Sequence, residues 1–307
     1  MTSKIDNASK NTQNSKPLIR NAWILALLLL ILALEVVRSV NDVKRIYEEA
    51  PIQNIVPQEL LAPRLLDDRE KMARYIEKFP RDQYKITNVP GLGKFFLDSP
   101  KDFIKDILRK GIIWEPDIVW KLVKLVQPGS TVIDAGAHIG THTIPMAKVV
   151  GASGRVYAFE PQKKIFRELY HNLKLNNLEN AVPLRYALGD KPSIIEMDPT
   201  GKENEGGTRV GSGGDKAELR TIDSFSFRNV SVIKIDVEGF EDAVIDGAKK
   251  TILTQKPFIM VEIQGGVDFD FATPHFRNKI LKTIQKIQSM GYLVLRIAMY
   301  DYICVPV

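Results

Sequence analysis

The stretch Val132-Ile133-Asp134-Ala135-Gly136-Ala137-His138-Ile139-Gly140 constrains the fold more than any other part of this 307-residue chain. Thr131 to Ala135 is short, β-branched and apolar, which suits a central parallel strand, and Thr141 to Val150 after it suits a helix. The turn between them carries Gly136 and Gly140, residues without a Cβ, where a small molecule can lie against the backbone. A strand that ends in such a turn and opens a helix predicts a doubly wound sheet with its ligand at the strand's carboxyl end.

A dinucleotide fingerprint reads G-x-G-x-x-G and offers the pyrophosphate a helix N-terminus. Here the spacing is D-x-G-x-x-x-G, with His138 where the second glycine belongs, so a pyrophosphate ligand and a nicotinamide oxidoreductase are disfavoured. Asp134, two positions before Gly136, suits a ligand that carries positive charge. Gly154 to Glu160 reads as a second strand ending in a carboxylate, which can accept both hydroxyls of a ribose. Each signal alone has a bland reading, a tight strand–helix junction for the glycines and a surface charge for Glu160. Their common register favours the site.

Further elements follow in order: Glu160-Pro161, then Phe166, Leu169, Asn172 and Asn176, then Ala187-Leu188-Gly189-Asp190, Thr221-Ile222-Asp223, Ile233 to Glu241 reading I-K-I-D-V-E-G-F-E, Gly247-Ala248, and Pro257 to Glu262. With Gly111-Ile112-Ile113-Trp114-Glu115 upstream, this sequence resembles the FkbM-type family of S-adenosylmethionine-dependent methyltransferases over roughly Phe95 to Ile263. The I-D-V-E-G-x-E element is the most specific piece, and His138 stands where the family usually has asparagine. The resemblance implies a class I methyltransferase fold, a Rossmann-like, mostly parallel α/β sheet with helices on both faces and an antiparallel strand near the C-terminus. It also implies S-adenosylmethionine as cofactor. Asp134, Gly136, Ala137, His138 and Gly140 are then expected at its methionine half, Glu160 and Pro161 at the ribose, Ala187 to Asp190 at the adenine, and Asp236 beside the reacting end.

For catalysis the candidates are Asp236, Glu238 and His138. Ile235 and Val237 flank the two carboxylates on an apolar strand, so the charges emerge at its carboxyl edge, where they can orient an acceptor hydroxyl or take its proton. Glu238 can equally be a charge facing the N-terminus of the next helix, as Glu241 is expected to be. His138 and His142 can act as bases or as hydrogen-bonded structural groups; His171 and His275 have no companion pattern. Glu262 ends an apolar strand at the same edge. Asp236, Glu238 and Glu262 are hard-oxygen donors, but no metal is predicted. The expected reaction is O-methylation of a hydroxyl on a sugar, glycan or small metabolite. The alternatives are N-methylation of an amine or protein lysine and a non-catalytic cofactor-binding protein.

The net charge of +6 is mild and the basic residues are scattered, so no nucleic-acid partner is expected. The single cysteine, Cys304, excludes an internal disulfide and a cysteine-based zinc cluster, and is expected in the core of the last strand. Met1 to Arg20 is polar and aperiodic, the composition of a disordered tail. Ala22 to Leu34 is an uninterrupted apolar run opened by Trp23 and followed by Glu35, shorter than the ~20 residues of a spanning helix. A cleaved signal peptide lacks its small-residue site and a core helix has nothing to pack against, so residues 21–40 are expected to be a single-pass membrane anchor, its orientation open.

Residues 41–90 read as a proline-punctuated linker and helical extension, with a surface helix over Asp67 to Phe79, and residues 91–307 as the catalytic domain. Helices are expected near Phe103 to Leu108, Pro116 to Val126, Thr141 to Val150, Lys163 to Asn177, Phe240 to Thr254 and Phe276 to Met290. Strands are expected at Thr131 to Ala135, Arg155 to Glu160, Ala181 to Ala187, Ser231 to Val237, Phe258 to Ile263, Leu293 to Ala298 and Tyr302 to Pro306, the last two antiparallel. Thr200 to Asp215, rich in glycine, is either a loose surface loop or a mobile cover over the acceptor pocket.

Overall fold

The computed structural model describes Met72, Ile76 and residues 79–98, 101–199, 203–263 and 273–307. The expected tail, the Ala22 to Leu34 run and most of the linker lie outside the described residues. Among the described residues no helix is long and apolar enough to cross a membrane.

Among the described residues twelve strands form three sheets. The small ones are the hairpin β1 (Tyr84–Val89) and β2 (Gly93–Asp98), and a three-stranded sheet of β6 (Ala187–Leu188), β7 (Ser193–Glu196) and β8 (Lys216–Arg220) in the order β6-β8-β7. The main sheet contains β3 (Thr131–Ala135), β4 (Arg155–Phe159), β5 (Ala181–Leu184), β9 (Val230–Ile235), β10 (Phe258–Glu262), β11 (Tyr292–Arg296) and β12 (Asp301–Pro306) in the order β11-β12-β10-β9-β3-β4-β5. Strands β5, β4, β3, β9 and β10 run parallel, and β12 enters antiparallel between β10 and β11. From β3 the chain winds outward through β4 to β5, then returns to β9 on the other side of β3. The carboxyl ends of β3 and β9 therefore flank the switch point, where an open α/β sheet binds its ligand.

Period-2 alternation sorts the central side chains. Ile133, Ile233, Ile235, Ile259 and Val261 enter the core against α5 (Glu241–Gly247), α6 (Lys249–Gln255) and α7 (Pro274–Ser289). Val132, Val232 and Met260 enter the opposite core, with α2 (Pro116–Leu125), α3 (Thr143–Val150) and α4 (Lys163–Leu175). The same alternation puts Asp134 and Lys234, register partners across β3 and β9, on the second face, and continues it to Glu262 opposite Asp301.

Three expectations are corrected. Ala181 to Ala187 is not one strand: β5 ends at Leu184, and Ala187 pairs in the small sheet with Leu219. Phe240 to Thr254 is two helices meeting at Ala248. The β1–β2 hairpin was not foreseen; its Val89, Leu92, Phe95 and Leu97 share the core with Ile144 and Leu169, so the compact part of the chain reaches upstream of residue 91. Met72, helical as the 67–79 spacing predicts, joins the other core.

The glycine-rich stretch is fastened where it passes the site. Glu205 accepts from Lys105 Nζ at 2.6 Å and from Lys164, and its own N–H donates to Asp102 at 2.8 Å. Lys105, on α1 (Phe103–Arg109), is fully buried and also meets Asp98 at 2.9 Å and Glu168 at 2.8 Å, while Lys164 reaches Asp98 at 2.6 Å. Two ammonium groups and three carboxylates thus bind hairpin, α1, α4 and the stretch into one buried cluster. Removing one member of such a cluster leaves charges buried without a partner. Lys105→Met is expected to lower the free energy of urea unfolding by roughly 3–5 kcal/mol, whereas replacing exposed Lys191 changes it by less than about 0.5 kcal/mol.

Candidate active site

The turn after β3 is shaped by how closely it passes β9. Gly136 has φ +81°, and a Cβ placed on it would lie 1.7 Å from the Asp236 backbone oxygen, so no other residue fits without moving the strand end. The Gly136 and Ala137 amides donate to the Phe159 carbonyl, which ties the turn to β4. His138 is also left-handed, with φ +48°. Asparagine and histidine tolerate that region better than most residues, which accounts for His138 at a position where the resembling family usually has asparagine.

Two adjoining compartments open along this turn. The first, about 510 Å³ of space partly open to solvent, is walled by Phe159, Pro161, Tyr186, Ala187, Leu188, Met197 and Phe240. The second, about 730 Å³ measured in the same way, is lined by Trp114, Glu115, His138, His142, Lys234 and Glu262. Gly136, Glu160, Gly206, Asp236 and Glu238 line both and so mark the junction. Gly206 and its neighbours come from the glycine-rich stretch, which covers the site while Glu205 holds it down.

At the floor lies Lys234, which the sequence reading passed over. Its buried ammonium donates to the Gly136 carbonyl at 2.7 Å and pairs with Asp134 at 3.3 Å and Asp236 at 3.2 Å. Burial alone would make it easier to deprotonate, but Asp236 and Asp134 outweigh that and raise its pKa. Burial also pushes Asp236 towards the neutral form, but Lys234 and a hydrogen bond from Glu262 hold it below the usual carboxylate range. Glu262 is pushed up to about 10 by burial and by the Asp236 charge, and keeps its proton at neutral pH. Glu160 accepts from the His138 and Gln162 amides at 3.1 and 2.9 Å, and burial pushes its carboxyl up to about 7.

Asp236, Glu238, Glu160, Gly136, Ala137, His138, Pro161 and Ala187 are brought together around the two compartments. Asp134 is not among their lining residues. Its carboxylate is fully buried behind the turn, accepting from Thr143 Oγ1 at 2.6 Å and paired with Lys234, so it acts on the site through the lysine rather than facing a ligand. Gly140 packs behind the turn against Leu169 and Ile144, and Asp190 is exposed and lines neither compartment. Glu241 accepts from the Gly239 amide at 2.6 Å at the start of its helix, as expected of a helix-start charge. His171 stacks on Phe79 away from the site. His138 and His142 are pushed down to about 4 and about 3 by burial first and by Lys105 and Lys234, respectively, so both are neutral imidazoles.

The residues present fit the implied cofactor on three counts. A cleared backbone at Gly136 leaves room for a ligand, a buried carboxylate at Glu160 keeps lone pairs free for two hydroxyls, and an apolar slot at Tyr186 to Leu188 and Phe240 can take a flat base. Gly136→Ala is expected to abolish binding of S-adenosylhomocysteine by calorimetry and to lower the melting temperature, since the new methyl group must displace the end of β9. Lys191→Ala, at an exposed position that lines neither compartment, is expected to leave that affinity within about threefold.

The family model of the methyltransferase FkbM domain matches residues 134–294. No curated protein matches the chain. Among solved structures, the chain is similar to methyltransferase FkbM from Methylobacillus flagellatus KT, with 18% identity and a TM-score of 0.42, covering 66% of this chain and 52% of that one. It is also similar to an S-adenosylmethionine-dependent O-methyltransferase from Thermotoga maritima, with 16% identity and a TM-score of 0.40 over 77% and 82% of the two chains. A third is a methyltransferase of the same cofactor class from Aquifex aeolicus, with 15% identity and a TM-score of 0.38 over 62% and 88%. These likenesses are too distant to add to what the strand order shows. The family match spans more than half of the residues and contains the turn, both strand-end carboxylates and Lys234: the chain belongs to the FkbM family of S-adenosylmethionine-dependent methyltransferases.

Proposed function

We propose that this protein methylates an oxygen acceptor, a hydroxyl on a sugar, glycan or other small metabolite. The observation that carries the proposal is the junction: Asp236 and Glu238 belong to both compartments, so one carboxylate edge faces the nucleoside side and the acceptor side together. When bound, S-adenosylmethionine supplies an electrophilic methyl group on a sulfonium. The protein's part is to hold an acceptor in line with that carbon and keep water out. Tyr186 to Leu188, Met197 and Phe240 would hold the adenine, Glu160 the ribose, and the backbone at Gly136 the methionine half. Asp236, kept ionised by Lys234, would offset the positive charge and orient the hydroxyl. An amine acceptor, including a protein lysine, is the second reading, favoured by the excess of carboxylates over cations in the second compartment. A single-pass anchor at residues 21–40 is part of the proposal and would keep the enzyme at a membrane surface.

The test is a screen with isotope-labelled methyl donor against methyl glycosides, polyols and amines. Label in ethers is expected, and label confined to amines or protein lysines would remove the oxygen preference. Asp236→Asn is expected to lower turnover by about 10²-fold or more. Its affinity for S-adenosylhomocysteine, which lacks the sulfonium charge, should stay within about threefold. The affinity for S-adenosylhomocysteine should also depend on pH through Glu160. Ribose hydroxyls donate to its ionised form, and the free carboxyl titrates at about 7. Calorimetry should therefore show binding weaken as pH falls below about 7, and Glu160→Gln should flatten that dependence.

A further inference from the structure

The second compartment holds several groups that could take a proton, and their surroundings separate them. Asp236 is tied to Lys234 at 3.2 Å and accepts a hydrogen bond from Glu262, so it is a weak base. Glu262 already carries a proton. His138 and His142 are neutral imidazoles of low basicity. Glu115 differs from all of these. It stands in left-handed backbone, φ +47° and ψ +56°, directly before Pro116, and its carboxylate lines the compartment. His142 is 5% exposed, has no hydrogen bond at Nε2, and points that atom at Glu115 Oε2 from 3.8 Å. A carboxylate and a buried, unpartnered imidazole nitrogen thus face one small space beside Asp236, which a hydroxyl group would satisfy.

We propose that Glu115 is the base of the transfer, its carboxylate taking the proton of the acceptor hydroxyl while His142 Nε2 provides that hydroxyl with a second hydrogen-bond partner. This rests on the oxygen-acceptor reading. The acceptor O–H bond breaks and its proton goes to Glu115; the oxygen lone pair forms the bond to the methyl carbon; the C–S bond breaks with its electron pair left on sulfur. The carboxylate and sulfonium charges cancel, and the products are a methyl ether, a neutral thioether and a protonated Glu115. With a side chain 37% exposed, Glu115 can return the proton to water.

The groups around Glu115 set its proton affinity. Burial, Asp301 from β12 and Asp236 from the end of β9 raise it; Lys234 and a hydrogen bond from the Trp114 indole lower it; the balance is about 7. His142, from the start of α3, is neutral there. A base that titrates near the working pH is the most effective, and such groups contribute typically 10²–10⁴-fold.

The experiment uses the full chain with labelled S-adenosylmethionine, and methyl α-glucopyranoside, methyl α-mannopyranoside and glycerol as acceptor probes. Glu115→Gln and Glu115→Asp are compared with the native protein. In the ligand-free native protein, tryptophan fluorescence is expected to titrate near pH 7 through the Trp114–Glu115 hydrogen bond, and Glu115→Gln to lose that transition. S-adenosylhomocysteine affinity at pH 8 should stay within about twofold in both variants. Turnover by Glu115→Gln should fall by about 10²-fold or more at pH 7 and rise with hydroxide, while Glu115→Asp keeps the acid limb with a smaller loss. Native turnover and pH profile in Glu115→Gln overturn the proposal, as does a fluorescence transition that survives the substitution. If the native protein binds S-adenosylhomocysteine but labels only amines, the oxygen reading has failed and the base assignment falls with it. If Glu115→Gln does not bind S-adenosylhomocysteine, Glu115→Asp decides: loss of the acid limb there overturns the proposal.

Discussion

A lysine ammonium buried at the centre of a parallel sheet is costly unless its surroundings offset the lost hydration. Lys234 meets that condition with Asp134, Asp236 and the Gly136 carbonyl, one from the neighbouring strand, one from its own strand end and one from the turn. Each of these attachments fixes something the site needs. Asp134 locks the ammonium to β3, the turn carbonyl sets where the backbone faces a ligand, and Asp236 stays ionised at the junction of the compartments. The glycine at 136 follows from the same arrangement, since a turn drawn onto the end of β9 has no room for a side chain. The glycine turn and the carboxylate at the junction are therefore held by one cation that lies beneath both.

Much of the architecture was legible because short-range physics carries it. Apolar β-branched runs punctuated by glycine gave the central strands, and the glycine spacing in the turn after β3 set the ligand class apart from dinucleotides. What was missed depends on long-range pairing. Strand β1 has exposed, mixed residues and was read with the linker, while β2 fell in the expected catalytic domain without being read as a strand; only their docking on α4, with Asn172 and Asn176 capturing the β2 backbone, shows why they are a strand pair. Tyr186 turns the chain out of the main sheet, and no periodicity in Ala181 to Ala187 marks that bend. Lys234 did carry a signal, the single cation in I-K-I-D-V two positions before Asp236, hence on the same face of a buried strand. Asp134 was read as facing a ligand because its charge was considered alone, whereas its register partner across the sheet is that lysine. Glu115 was quoted only as part of a motif, and its place beside His142 needs residues 27 positions apart to meet at the mouth of the sheet.

The glycine-rich stretch lines both compartments and is fastened to the buried cluster around Lys105. Glycine lets the backbone pass close over the site, and Glu205 is one of the points that fasten it. It is held on either side of Glu205 as well: the Phe103 amide donates to the Glu203 carbonyl, and the Gly211 and Gly214 amides donate to the Glu196 and Met197 carbonyls. Because the same cluster includes Asp98 from the hairpin and Glu168 from α4, the cover is attached to both elements that flank the turn.

The order of the main sheet has a consequence for how the chain reaches this state. Strand β12 follows both β10 and β11 in the chain, yet it lies between them and supplies Asp301 opposite Glu262. Without residues 301–306 in place, β10 would have an open, apolar edge and β11 no neighbour in the sheet, the kind of surface that pairs with other chains. The acidic edge is thus completed only when β12 inserts between two strands that precede it, and a fold in which that insertion fails leaves the edge open to pairing with other chains.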